Sequence, residues 1–502
     1  MKKIRKVWHL GALLVFVLWS AVAYGDQSTD YWPKDSWRAA VPEEQGVDSG
    51  KIAAMLQYVK KEHLNLHGFL MIRHGYLVAE TYFHPYSRTF PNPVYSCTKS
   101  VISALTGIAV KEGDLPGVQA QVLDQFRDEY RETANPPKRR ITIQQLLTMS
   151  SGLQPVNTFQ FSDKPDPVQY LLRLPLVGKP GEKFAYSCSG PHLLTALLKN
   201  KTGCDVMFYA RQKLFEPMGI AKYGWAVDPQ GVHYGSTGLQ LTAPDMARLG
   251  YLYLRQGRWN GQQLIPADWI RESTAKHIET PEMNVAENMG YGYGWWIDSA
   301  WDGFSAHGFG GQYIFVVPKL DLVVVFTGGL ENSQFPIPQK LMAQYLIPAV
   351  HPQSLPANPA LHRKLAALLD EIQNPPPQKA SPQPETARKM TGRTFCCDKN
   401  ILSVAAFRWD FSDPDQAELK LALPADPDRW LTIPIGLDGL YRRSEEPGLG
   451  EVYARGEWRD ERTFQMGVIQ PEGPLHLEIR FAGNEAAVLV AEYDQAFTAR
   501  SK

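Results

Sequence analysis

Two pairs of apolar runs, set far apart in this chain, limit its fold more than any other feature. Residues 68–72 and 77–83 are apolar, β-branched or aromatic, and His74-Gly75 between them makes a hairpin turn. Residues 313–318 and 322–327 form a second pair, turned at Lys319 to Asp321. Between the pairs the chain reads as helix. Residues 98–110 are apolar at nearly every position, as in a helix buried on all sides, and 193–199, 206–214 and 243–254 follow. Residues 236–241 read as a short connecting strand and 339–346 as a closing helix. Ahead of the first pair, 49–63 has helical spacing (Ile52, Met55, Leu56, Val59) with Ser49 as its cap. Thr142 and Gln145 have the spacing of a capping box. Strands at both ends of a helical middle predict an α+β domain: an antiparallel sheet assembled from both ends, flanked by helices, with an all-helical subdomain.

At 502 residues the chain has room for more than this domain. Residues 351–390 read as a helix and a Pro-rich linker, stiffest at Pro375-Pro376-Pro377. From 391 to 502 come short strand-like runs (401–411, 417–423, 451–458, 463–468, 475–481, 487–493) with turn residues between them, which predict an all-β barrel or sandwich. Met1 to Gly25 reads as a secretory signal: Lys2, Lys3, Arg5 and Lys6 precede an uncharged apolar run, and Ala23-Tyr24-Gly25 supplies a cleavage site. The protein is therefore expected in the periplasm or secreted, with an uncleaved N-terminal membrane anchor as the alternative. The first, α+β domain would then span 26–350.

Lys plus Arg and Asp plus Glu both number 52, leaving no basic excess to neutralise phosphates and excluding nucleic acid as a partner. Five cysteines are too few for a disulfide scaffold in a chain this long. His63, His67, His74 and His192 show no i,i+4 metal pairing; His67 and His74 flank a strand and read as surface residues. No metal and no cofactor are expected.

The chemistry starts at Ser96-Cys97-Thr98-Lys99. On a helix, positions i and i+3 share a face, so hydroxyl and amine meet across one turn. A serine hydroxyl needs a base, and burial against Val101, Ile102, Leu105 and Ile108 would lower the lysine pKa enough to make it one. The pattern alone is weak, since about one or two matches arise by chance in such a chain. Ser273-Thr274-Ala275-Lys276 is indeed a second match, in a polar setting where Ser273 reads as a surface residue. Tyr186-Ser187-Cys188, after Pro180-Gly181, adds a phenol able to shuttle protons. His307-Gly308-Phe309-Gly310-Gly311-Gln312, leading into a strand, has glycines that let a substrate approach and an amide that could hold an oxyanion. Taken singly, Tyr186 could be a core tyrosine and the glycines an ordinary turn. Trp225, Trp295 and Trp296 are candidates for an acyl-binding wall, the alternative being core.

Together these elements resemble the penicillin-recognising serine hydrolases, class C β-lactamases in particular, and within them the 6-aminohexanoate-dimer hydrolase and family VIII esterase branch. Tyr95-Ser96-Cys97-Thr98-Lys99-Ser100, Leu146-Leu147-Thr148-Met149-Ser150-Ser151-Gly152, Tyr186-Ser187-Cys188-Ser189-Gly190, Leu241-Thr242-Ala243-Pro244-Asp245 and Tyr291-Gly292-Tyr293-Gly294-Trp295-Trp296 carry it, in family order, over roughly residues 48–350. The resemblance implies that Ser96 forms an acyl-enzyme, that Lys99 takes its proton, that Tyr186 relays protons, and that the Ser96 and Gly310 amides hold the oxyanion. His307, Gly308 and Cys188 would face substrate. This chain has His307-Gly308-Phe309 where class C enzymes have Lys-Thr-Gly, and Cys188 where they have Asn. Both lost groups contact the lactam there, so ester or linear-amide hydrolysis is the expected reaction. Alternatives are a D-alanyl-D-alanine carboxypeptidase or weak β-lactamase, and a non-catalytic penicillin-recognising binding protein. The partner is a small molecule or short peptide, with cell-wall association a further option. If the fold holds, Cys97 and Cys188 lie near each other, either as a disulfide or as two small buried thiols.

Overall fold

The computed structural model describes residues 31–126, 137–280, 289–446, 450–471 and 473–501, so Met1 to Gly25, read above as a signal, lie outside the described residues. An eight-stranded antiparallel sheet runs Tyr76–Tyr82, Leu66–Arg73, Leu322–Gly328, Gln312–Val317, Gly303–Gly308, Trp296–Asp298, Met289–Tyr291 and Ile278–Glu279. The two sequence-distant hairpins are thus neighbours at one end of the sheet, joined by the antiparallel pairing of Leu70 with Val325 and Ile72 with Val323.

Strand alternation divides this sheet between two cores. Leu70, Ile72, Val323, Val325, Ile314 and Val316 face the helical subdomain. Phe69, Met71, Val324, Phe326, Tyr313 and Phe315 face the other way, onto the helices Ser49–Lys61 and Pro359–Gln373. Both faces being covered explains why the strands read as continuous apolar runs. On the first face lies the helix Thr98–Glu112, buried at every position from Thr98 to Ala109 and ended by Gly113 at φ 85°. Gly107 sits where an added Cβ would come within 2.4 Å of the Trp269 ring, which fixes how closely the helix Ala267–Ser273 approaches.

Some local expectations are corrected. Asp48, not Ser49, caps the first helix, its carboxylate accepting from the Gly50 amide at 2.7 Å; the Ser49 hydroxyl turns inward to Glu43. His67 is buried rather than on the surface, stacked on Tyr86 at 3.6 Å between ring centroids. Ser273 is fully buried too, its Oγ donating to the Ile270 carbonyl at 3.1 Å. The capping box of Thr142 and Gln145 is present as read.

The helix Pro359–Gln373 packs Leu365, Leu368 and Ile372 onto the hydrolase core, while the short helix Glu385–Met390 buries Ala387 and Met390 in the C-terminal unit. That unit contains ten strands among the described residues. Nine close into a barrel where Gly436 of Asp426–Gly436 meets Arg455 of Gly450–Trp458, and Arg442–Glu446 lies alongside as the tenth. The barrel is held to the hydrolase domain by Phe90 packed on Tyr453 and Ile469. Polar ties add to this, Lys222 to the buried Glu451 at 2.8 Å and Gln240 to the Pro471 carbonyl at 3.0 Å.

Candidate active site

Ser96 occupies the tight turn Tyr95–Cys97 that feeds the buried helix. The turn opens with Tyr95 at φ 45°, a left-handed conformation uncommon for a tyrosine and typical of strained functional turns. One helical turn later Lys99, 3% exposed, reaches back: its Nζ donates to Ser96 Oγ at 2.9 Å and to the Ser236 carbonyl at 3.0 Å. The i,i+3 geometry read from the sequence is therefore realised.

Tyr186 arrives from the helical subdomain, and Lys99 Nζ lies 4.8 Å from the centroid of its ring. Its loop is pinned on both sides. The Ala185 amide donates to the Met149 carbonyl at 2.8 Å and the Cys188 amide to the Val156 carbonyl at 2.8 Å. Gly152, at φ 72°, leaves room for the incoming Gly178 carbonyl, which an added Cβ would meet at 2.4 Å. Trp296 stacks behind Tyr186 at 5.8 Å, and His307 stacks on Trp296 at 5.1 Å.

Electrostatics correct one expectation. Burial does push Lys99 down, but Tyr186 and Cys188, groups that turn negative on losing a proton, outweigh it and hold Lys99 above the ordinary lysine value. Cys188 shows the reciprocal effect. Burial alone would raise its thiol; the Lys99 ammonium and hydrogen bonds from Ser236 and Thr158 bring it below the ordinary thiol range. Ser236 and Thr158, whose hydroxyls lie 3.1 Å apart, complete the surroundings of Lys99. Neither carried a motif; only the fold brings them here.

The remaining sequence candidates divide. Gly308 passes so close to the Val94 carbonyl that a Cβ would sit 2.3 Å from it, which lays the end of its strand against the Ser96 turn. Gly310 has φ 76° and its carbonyl accepts from the Leu330 amide at 2.8 Å. His307, expected to face substrate, is instead buried, its Nε2 2.7 Å from Ser305 Oγ, and burial drives its pKa well below the usual value. Cys97 and Cys188 are both free thiols. Cys97 faces the sheet, its Sγ donating to the Gln312 carbonyl at 3.5 Å, so the disulfide alternative does not hold. Trp225 and Trp295 are core; only Trp296 touches the site.

Beside the site opens a cavity of about 600 Å³. Tyr95, Phe309 and Gly310 form its wall on the hydrolase side, and Tyr441, Arg455 and Ile469 of the barrel form the other.

The Beta-lactamase family model matches residues 52–347, well over half of the chain. The chain belongs to the beta-lactamase family. It is a serine hydrolase of that family by the same match, with Ser96 and Lys99 inside the matched span. The 6-aminohexanoate-dimer hydrolase of Paenarthrobacter ureafaciens is 24% identical over 315 residues, covering 57% of this chain and 79% of that protein. A lovastatin esterase of Penicillium rubens is 29% identical over 137 residues, 23% of this chain and 33% of the esterase. The structure of a Bacillus anthracis protein assigned as a 6-aminohexanoate-dimer hydrolase superposes with a TM-score of 0.52 at 20% identity, covering 66% of this chain and 91% of that one.

Proposed function

We propose that this protein hydrolyses an ester or linear amide through an acyl-enzyme on Ser96. The observation that carries the reading is the buried Lys99 donating to Ser96 Oγ with the Tyr186 ring against its ammonium. Ser96 Oγ bonds to the substrate carbonyl carbon, whose π electrons move to its oxygen, while the serine proton passes to the Lys99–Tyr186 pair, one of whose two groups enters the step deprotonated. The Ser96 and Gly310 amides receive the oxyanion. The carbon–leaving-group bond breaks, Tyr186 returns the proton to the departing alcohol or amine, and water repeats the sequence on the acyl-enzyme.

Ester or linear-amide substrates are favoured over lactams because the two positions that meet a lactam in class C enzymes are changed. A buried, neutral His307 stands for the lysine and Cys188 for the asparagine. The named relatives, a 6-aminohexanoate-dimer hydrolase and a lovastatin esterase, agree with this direction. We also place the enzyme outside the cytoplasm, on the strength of Met1 to Gly25. The test is a panel of p-nitrophenyl esters, linear 6-aminohexanoate amides, D-Ala-D-Ala peptides and nitrocefin. The reading expects esters or linear amides to be turned over at least a hundredfold faster than nitrocefin, and preferential cleavage of nitrocefin or D-Ala-D-Ala would overturn it.

A further inference from the structure

We propose that the C-terminal barrel is itself a binding site, taking a single aliphatic chain of medium length into its interior. The barrel has two unlike ends. At one, Trp458 packs against Phe411, Phe464 and Phe481 with centroids 5.3, 5.2 and 5.8 Å apart, closing it with aromatic rings. The strand Thr463–Gln470 leads away from that plug, and its inward positions Met466, Val468 and Gln470 pass into a cavity of about 310 Å³. Protein interiors are normally packed so that voids larger than a water are few. This space is lined by aliphatic and aromatic side chains; among the lining residues only Gln470, Tyr493 and Trp409 carry a polar side-chain group, and the buried Trp409 indole N–H has no hydrogen-bond partner among the described residues.

Three features narrow the guest. Among the described residues no charged side chain lines the cavity, so a buried ionic group would lack the partner it requires. A methylene fills about the volume of one water, ~30 Å³, so the space accepts roughly ten such units in a chain. The opening also has an apolar lip: Ile401 and Tyr493, 42% and 50% exposed, are two of the few large hydrophobic residues that this chain leaves in solvent, and both line the cavity. A guest would enter tail first past Ile401 and keep its polar end beside Gln470 and Tyr493. Gln470 also lines the cavity next to the Ser96 turn, so the opening faces the hydrolase side of the molecule. The proposal does not depend on the reaction assigned to Ser96.

The experiment titrates the full chain with decanoate by isothermal titration calorimetry. The expected result is saturable one-site binding of decanoate and no binding of butyrate over the same concentrations. Val468→Trp, which fills the cavity, should weaken binding at least tenfold while leaving ester turnover within twofold of the parent. Should Val468→Trp fail to fold, Ile401→Glu at the exposed lip replaces it, with the same expectation. Absence of saturable decanoate binding, equal binding of butyrate and decanoate, or unchanged affinity in a folded variant would overturn the proposal.

Discussion

The chain writes Ser-x-x-Lys twice, and the two copies came to opposite ends. At Ser96 the lysine is 3% exposed and its amine lies 2.9 Å from the serine oxygen. At Ser273 the serine is buried with its hydroxyl spent on the Ile270 carbonyl, while the Lys276 side chain, 40% exposed, pairs with Glu279 at 2.7 Å. One copy heads a helix buried on all sides, and the other ends a seven-residue helix at the surface. The same four-residue spacing therefore yields a polarised hydroxyl or a satisfied core serine. What decides is whether the lysine is denied a carboxylate and water.

That contrast can be broken in order of size. Ser96→Ala should lower kcat/KM on the best ester by roughly a thousandfold or more, while Ser273→Ala keeps it within twofold. Parallel kinetics with thermal melts would check this, and equal losses would end the distinction. Lys99→Met should cost a factor on the order of a thousand through kcat, whereas Lys276→Met removes only a surface pair and should change nothing measurable. Tyr186→Phe keeps the ring against Lys99 and Trp296 but removes the hydroxyl; a loss of about a hundredfold in kcat with little change in KM is expected from steady-state rates.

The smallest effect sharpens the comparison within the site. Cys97 and Cys188 each adjoin a catalytic candidate, yet burial pushes Cys97 up whereas the Lys99 ammonium brings Cys188 down. A thiol reacts as the thiolate, which is present above its pKa. Iodoacetamide followed by peptide mass spectrometry should therefore label Cys188 about tenfold or more faster than Cys97, with the Cys188 rate levelling off at a pH below the ordinary thiol value of 9.0. Comparable labelling of both would contradict the charge balance around Lys99.

Much of the hydrolase domain was legible because its signals are local and apolar. The hairpins, the buried helix after Ser96 and the 243–254 helix, observed as Ala243–Leu254, follow from periodicity. From spacing alone the site was legible only where it is local, at Ser96 and Lys99; Tyr186 followed from the family resemblance, and its ring lies against Lys99. Ser236 meets Lys99 through its main-chain carbonyl and Thr158 meets the Ser236 hydroxyl, and no residue pattern announces such partners. His307 looked exposed to substrate because its glycines suggested an open edge; the stacking of Trp296 over it is a tertiary fact. His67 was misjudged for the same reason, since Tyr86 covers it from a loop. In the barrel, four strands were passed over. Arg442–Glu446 is charged, Asp426–Gly436 carries two prolines, and Thr394–Cys397 and Gln495–Ser501 lack a strong alternation.

The central claim is covalent, and a covalent adduct tests it. Full-length protein is mixed with a fluorophosphonate probe or a slowly deacylating p-nitrophenyl ester, quenched, digested and mapped by mass spectrometry. The account predicts one adduct, on the peptide bearing Ser96, formed at least a hundredfold more slowly in Lys99→Met. Modification at Ser273 or elsewhere, or acylation of Ser96 at an unchanged rate without Lys99, would contradict it.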